Sequence, residues 1–225
     1  MSQQQESVVT TELYVFPPSP RAFKVMAVAN HLGIDWTLRV VDLTKGEQQS
    51  PEFASLNPNM RMPVLKDDNY VLWESNAIAQ YLADQRPEGG LLPVDGKGRL
   101  DVTRWQFWDL AHWDPACAIF VFEYVAKPRF LGISEPDMAA IAKGTEMFHR
   151  VATVLDGQLK GKKFVLGDEL TLVDFSLGAA MNLAQVSHFP IDPYGEIKRW
   201  HASLLALPAW QKTLSQSVLP TVAAA

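Results

Sequence analysis

The first apolar run, Glu12-Leu13-Tyr14-Val15-Phe16, is rich in β-branched and aromatic residues and is stopped by Pro17-Pro18, the pattern of a short strand. Ser19 before Pro20 supplies an N-cap and a first-turn proline, after which Ala22, Val25, Met26, Ala29 and Leu32 recur at helical spacing until Gly33. Trp36 to Leu43 reads as a second strand, so the opening is a β-α-β unit. Ser50-Pro51-Glu52-Phe53 repeats the Ser-Pro start for a short helix. Val64 to Lys66 and Tyr70 to Trp73 then form an antiparallel hairpin around an Asp-Asp-Asn turn, and a helix from Ser75 to Gln85 closes the segment.

The order β-α-β-(α)-β-β-α predicts a thioredoxin-like α/β domain over residues 10–85. Arg86 to Pro93 holds two prolines and two glycines without apolar periodicity, which predicts a linker over 86–93. From 94 to 220 the pattern is helical throughout and predicts an all-α domain. Long stretches run from about Lys97 to Ala126 and from Glu135 to Leu159, with further helices starting near Leu172, Tyr194 and Ala209. Thr171-Leu172-Val173-Asp174 is a capping-box variant, with Leu170 and Phe175 placed for a hydrophobic staple.

Composition adds exclusions. With 48% apolar and 20% charged residues in 225, the chain has an ordinary globular mixture and can bury a sizeable core. A net charge of -5 argues against tracking a phosphate backbone, which needs clustered Lys and Arg. The N-terminus has no basic and apolar leader pattern, and the longest strongly apolar stretch, Ala116 to Phe122, is too short to span a bilayer, so a cytoplasmic location is expected. One cysteine, Cys117, excludes an internal disulfide, and no His or Cys spacing matches a zinc site.

Two constellations carry candidate chemistry. Met62-Pro63-Val64-Leu65 puts a proline at the start of a strand, which suits a tight turn, either with a cis bond or with an ordinary trans proline bounding the strand. A turn of the first kind leaves the backbone before it free to pair with a peptide. Glu74-Ser75 places an acid and a hydroxyl where the hairpin meets a helix, whose free N–H groups attract a carboxylate while Glu74 can hold an ammonium. A plain cap with a dipole-complementing acid is the competing reading.

Ser50-Pro51-Glu52-Phe53, Asn57-Pro58, Met62-Pro63-Val64-Leu65 and Glu74-Ser75-Asn76-Ala77-Ile78-Ala79-Gln80-Tyr81-Leu82 together closely resemble the N-terminal domain of soluble glutathione transferases. The likeness covers most of residues 12 to 85, and the Thr171-to-Asp174 box resembles that family's marker in the helical domain. It implies that Met62 pairs its backbone with the cysteinyl part of glutathione, that Glu74 and Ser75 bind the γ-glutamyl end, and that Gln48, Gln49 and Arg61 lie near the glycyl carboxylate. Many relatives have His-Lys where this chain has Gln48-Gln49, and Arg61 can supply the missing charge.

The resemblance further implies an activating Ser19, as in serine-type classes; a plain N-cap is the alternative for this residue. Tyr14 and Cys117 are rivals, read respectively as a core or pocket-wall residue and as a buried inert thiol. Val15 and Arg21 depart from the small or polar residues often seen nearby and leave the subclass, including a bacterial-like one, open. An electrophile pocket is expected between the domains near Trp108 and His112, which share a helical face, and Asp109 falls where some relatives reach glutathione across a dimer interface. The implied activity is conjugation of glutathione to a small hydrophobic electrophile by a homodimer, with no metal. Glutathione-dependent disulfide or peroxide reduction, or a regulatory module without turnover, are the other functions this fold serves.

Overall fold

The computed structural model describes residues 11–218. Four strands form one mixed sheet in the order β2-β1-β3-β4. β1 (Thr11–Val15) runs parallel to β2 (Trp36–Val40) and antiparallel to β3 (Val64–Asp67), which pairs with β4 (Tyr70–Trp73). Period-two alternation sets the faces: Leu13 and Val15 are buried, whereas Glu12 and Tyr14 point to the half-exposed side. On that side Arg39 donates to Glu12 and holds its carboxyl below the usual range. β2 ends earlier than the predicted Leu43, because the Asp42 carboxylate accepts from the Thr44 N–H at 2.9 Å and caps a 3₁₀ turn over Leu43–Lys45.

The helices are α1 (Pro20–His31), α2 (Pro51–Leu56), α3 (Ser75–Gln85), α4 (Gly96–Trp108), α5 (Asp114–Val121), α6 (Lys127–Leu131), α7 (Met138–Leu159), α8 (Leu172–Met181), α9 (Gly195–Leu205) and α10 (Pro208–Gln216). The stretch predicted as one helix from Lys97 to Ala126 extends to Leu131 and contains two wide i→i+5 turns, Asp109–Trp113 and Phe122–Ala126. Such turns leave the hydrophobic spacing nearly helical, which is why periodicity alone does not show them.

α1 is buried from Ala22 to Ala29 without interruption, because it packs on α3 of the sheet lobe and on α8 and α10 of the helical lobe. Burial all round is expected of a helix covered on both sides, and Lys24 is the one charged residue within the run. One core runs through both lobes, from Leu13, Val25 and Met26 to Trp113, Phe175 and Trp210. Phe23 and Trp210 rings lie 4.8 Å apart across the junction. The segment between α3 and α4 is also tied down, since the Leu172 N–H donates to the Leu91 carbonyl at 3.0 Å.

Asp174 is 0% exposed and accepts from the backbone N–H of Val165 and Thr171 and from Trp200 Nε1, at 2.9–3.0 Å, so the capping box anchors α8 to α9. Burial pushes its carboxyl pKa up, against these hydrogen bonds, which lower it. His201 on α9 is largely buried, and desolvation lowers its pKa to about 4. A depressed folded-state value favours the neutral ring, so its stabilisation is complete above about 6.5 and is lost as pH falls towards 4. His201→Gln is therefore expected to flatten the decline of the urea midpoint between pH 7 and pH 4.5; an unaltered pH slope would refute this.

Candidate active site

The sheet's hairpin edge, the start of α1 and the start of α5 enclose a cleft of about 230 Å³. Asn57, Arg61, Met62 and Pro63 form one wall, and Glu74 and Ser75 form another. The Met62-Pro63 bond is cis. Asn57 holds the loop in front of it: its Nδ2 donates to the Arg61 carbonyl at 2.6 Å, and its Oδ1 accepts from the Asn59 N–H at 3.0 Å. Glu74 adopts φ 74°, a left-handed conformation that a non-glycine residue keeps only when its surroundings impose it. Here the imposition comes from β4 on one side and α3 on the other. Ser75 is thus the first residue of α3 rather than its cap, and Glu74 stands at the capping position without a side-chain cap bond.

Arg21, Leu110 and Asp114 complete the cleft, and Arg21 and Asp114 form an ion pair within its lining. The site therefore carries two cations, Arg21 and Arg61, and two anions, Glu74 and Asp114, beside the free N–H groups of α3. Such a set suits a zwitterion with a free amino-acid head and a further carboxylate. Beyond Arg21 lies an apolar cleft of about 200 Å³ walled by Pro20, Cys117, Val121, Phe122 and Ala126. Burial pushes the Cys117 thiol well up, so this cysteine is a wall and not a nucleophile.

Ser19 stands at the N-cap of α1, yet its side chain makes no cap hydrogen bond. It lines a third cleft of about 200 Å³ with Phe23, Asn182 and Leu214, next to the apolar one and sharing Pro20 with it. The structure thus brings Met62, Arg61, Glu74 and Ser75 together but sets Ser19 in a separate recess on the far side of Pro20. Gln48 and Gln49 occupy the 3₁₀ turn before α2 and are not among the walls of the Glu74 cleft; Gln48 Oε1 is buried without a partner among the described residues. Tyr14 donates to Glu12 and lines a groove by α2, away from Glu74.

Two further candidates sit differently from the expectation. Asp109 is 2% exposed, and its carboxylate is held by Lys24 Nζ of the same chain at 2.9 Å. Trp108 and His112 do share a face, with ring centroids 6.1 Å apart, but that face is not the apolar cleft, whose walls on this stretch begin at Asp114. Trp108 instead packs on Trp105 and Trp113, and His112 is exposed.

Sequence reasoning also missed the polar junction behind the cleft. Lys24, 3% exposed, donates to Asn76 Oδ1 at 2.7 Å as well as to Asp109. Asn76 Nδ2 donates to the Gln106 carbonyl at 3.2 Å, and Ser176 Oγ donates to Asn76 Oδ1 at 3.1 Å. This network fixes the first turn of α3, and hence Ser75, against α4 and α8. The signal in the sequence was a lysine at a core position of α1, between Phe23 and Val25.

Among the described residues, no cluster of three or more His, Cys, Asp or Glu side chains is placed to hold a metal ion, and no helix is long and apolar enough to cross a membrane.

Fold and cleft define a two-lobed protein in which a thioredoxin-like lobe presents a strand-and-helix edge for a small peptide beneath an all-helical lobe. The family model for the glutathione S-transferase N-terminal domain matches residues 9–84, and that for the C-terminal domain matches residues 112–208. The chain is 34% identical to Glutathione S-transferase 3 of Zea mays, over 93% of this chain and 95% of that protein. It is 32% identical to a glutathione S-transferase of Hyoscyamus muticus, over 87% of this chain and 93% of the other. The apo structure of glutathione S-transferase III superposes with a TM-score of 0.82 at 32% identity, over 94% of this chain and 98% of that one. The chain belongs to the glutathione S-transferase family.

Proposed function

We propose that the protein binds glutathione in the Glu74 cleft and transfers its thiolate to a small hydrophobic electrophile in the apolar cleft beyond Arg21. The observation that carries this reading is the convergence of Met62, Glu74 and Ser75 on one cleft at the N-terminus of α3, in a chain of this family. Glu74 takes the α-ammonium, and Ser75 with the free α3 amides takes the α-carboxylate of the glutamyl end. The backbone of Met62 pairs with the cysteinyl residue. Arg61 takes the glycyl carboxylate, with Gln48 and Gln49 as neutral partners from the turn before α2.

Ser19 is the activating donor in this reading, which makes the enzyme serine-type. Its hydroxyl is not spent on capping, and the first turn of α1 adds partial positive charge beside it. Residues 10–85 hold glutathione, 86–93 join the lobes, and 94–220 supply the electrophile site. In this reading the protein is a cytoplasmic homodimer; the exposed apolar side chains Tyr70 and Trp73 on β4 and Phe107 on α4 support the pairing.

Calorimetric titration with glutathione tests the reading. The unaltered protein is expected to bind, and Ser75→Ala to bind roughly tenfold more weakly, the worth of one hydrogen bond to a charged group. Absence of any binding heat from the unaltered protein would overturn the proposal; equal affinity in Ser75→Ala would remove Ser75 from the site.

A further inference from the structure

Arg21 and Asp114 occupy a place that the conjugation reading leaves unused. Both residues line the Glu74 cleft and the apolar cleft, so their ion pair stands where the two substrates would meet. The other walls of the apolar cleft, Cys117, Ala118, Val121, Phe122, Ala126 and Ala180, carry no charged side chain. Whatever charge selectivity that cleft has comes from this pair.

The pair is built to be opened. Its side chains are 46% and 23% exposed, and an ion pair of that exposure is screened by water and weakly held. Among the described residues, Asp114 takes a hydrogen bond from one terminal nitrogen of Arg21 only. A guanidinium has five N–H donors in a planar fork, so most of the fork remains to receive a second carboxylate. Lys24, the other cation of α1, is buried and already paired, and it offers no alternative.

We propose that Arg21 is the specificity-determining residue for the second substrate and selects electrophiles that carry an anionic group, with Asp114 as the counter-charge that positions the guanidinium and limits the preference. This rests on the glutathione-conjugating reading above. An aryl chloride with a ring carboxylate would place the carboxylate on Arg21 and its ring against Val121 and Phe122. The thiolate sulfur then forms a bond to the chlorine-bearing carbon, the C–Cl bond breaks, and chloride leaves with the electron pair. The thiol proton has passed to water beforehand.

The test compares 4-chloro-3-nitrobenzoate with its neutral amide, 4-chloro-3-nitrobenzamide, as electrophiles at saturating glutathione. Arg21→Gln is expected to lower the benzoate-to-benzamide ratio of kcat/KM about tenfold, and Asp114→Asn to raise it by a similar factor, the scale of one charge contact in a partly wet site. Arg21→Lys is expected to retain part of the preference. A ratio that stays within twofold in both Arg21→Gln and Asp114→Asn overturns the inference. So does an effect of Arg21→Gln confined to the KM for glutathione, which would place Arg21 on the first substrate. Thermal melts of each variant guard against misfolding, which would depress both electrophiles equally and leave the ratio unmoved. Failure of the underlying reading looks different: the unaltered protein would neither bind glutathione nor turn over either compound.

Discussion

Lys24→Met is expected to destabilise the protein by about 3–5 kcal/mol, the cost of leaving one member of a buried ion pair without its partner. Lys24 and Asp109 are both buried and lie 2.9 Å apart, with Asn76 completing the ammonium's contacts. Burial already pushes the Asp109 carboxyl up, and Lys24 is the main influence holding it down. Without the lysine, the carboxylate must stay charged in an apolar setting or take a proton to fold. A raised folded-state value means that the penalty is largest at neutral pH and shrinks as pH falls through the carboxylate range. Urea unfolding at pH 7 and pH 5 measures both parts. A loss under about 1 kcal/mol at pH 7 would show that the pair is not the buried unit described. The double variant Lys24→Met/Asp109→Leu should recover much of the loss, because replacing both charges removes the orphan rather than creating it.

Ser19→Ala is expected to lower the conjugation rate about a hundredfold with little change in stability. A free thiol with pKa near 8.5 is only about a few per cent ionised at pH 7. Lowering that value by two units takes roughly 2.7 kcal/mol of preferential thiolate stabilisation, for which a hydroxyl donor at the start of α1 is the proposed source. Because the Ser19 hydroxyl makes no cap bond, the substitution removes no hydrogen bond from the helix itself. The spectroscopic titration of bound glutathione should move its thiol pKa up in step with the lost rate. Retention of the full rate and an unshifted thiol would strip Ser19 of the role. Its recess shares Pro20 with the apolar cleft and no wall with the Glu74 cleft, so this substitution tests the Ser19 assignment directly.

The sheet lobe was readable because its signals are local. Ser-Pro pairs start α1 and α2, and the hairpin strand Tyr70–Trp73 and the helix Ser75–Gln85 fall at the boundaries their patterns predict. Glu74 and Ser75 were recognisable for the same reason, since a strand end abutting a helix start is written in consecutive residues. What escaped depends on partners far apart in the chain. Lys24 meets Asp109 across 85 positions, and on a helical wheel Asp109 looks like a surface acid. The electrophile wall was sought at Trp108 and His112 because aromatics stand out, yet the apolar cleft proposed for it draws on the stretch further along, from Asp114 to Ala126, where Phe122 is the one aromatic wall. Two wide turns in the same stretch add backbone length that periodicity does not register.

The polar junction of Lys24, Asn76, Gln106, Asp109 and Ser176 also bears on recombination between relatives. Its members come from α1, α3, α4, the wide turn after α4, and α8, so they are divided between the two lobes. A chimaera that joins this sheet lobe to a foreign helical lobe would bury a lysine opposite whatever the donor supplies at position 109. The lobes are therefore not interchangeable cassettes: a graft that fits in shape but lacks the matching acid would start with an unpaired charge at its seam.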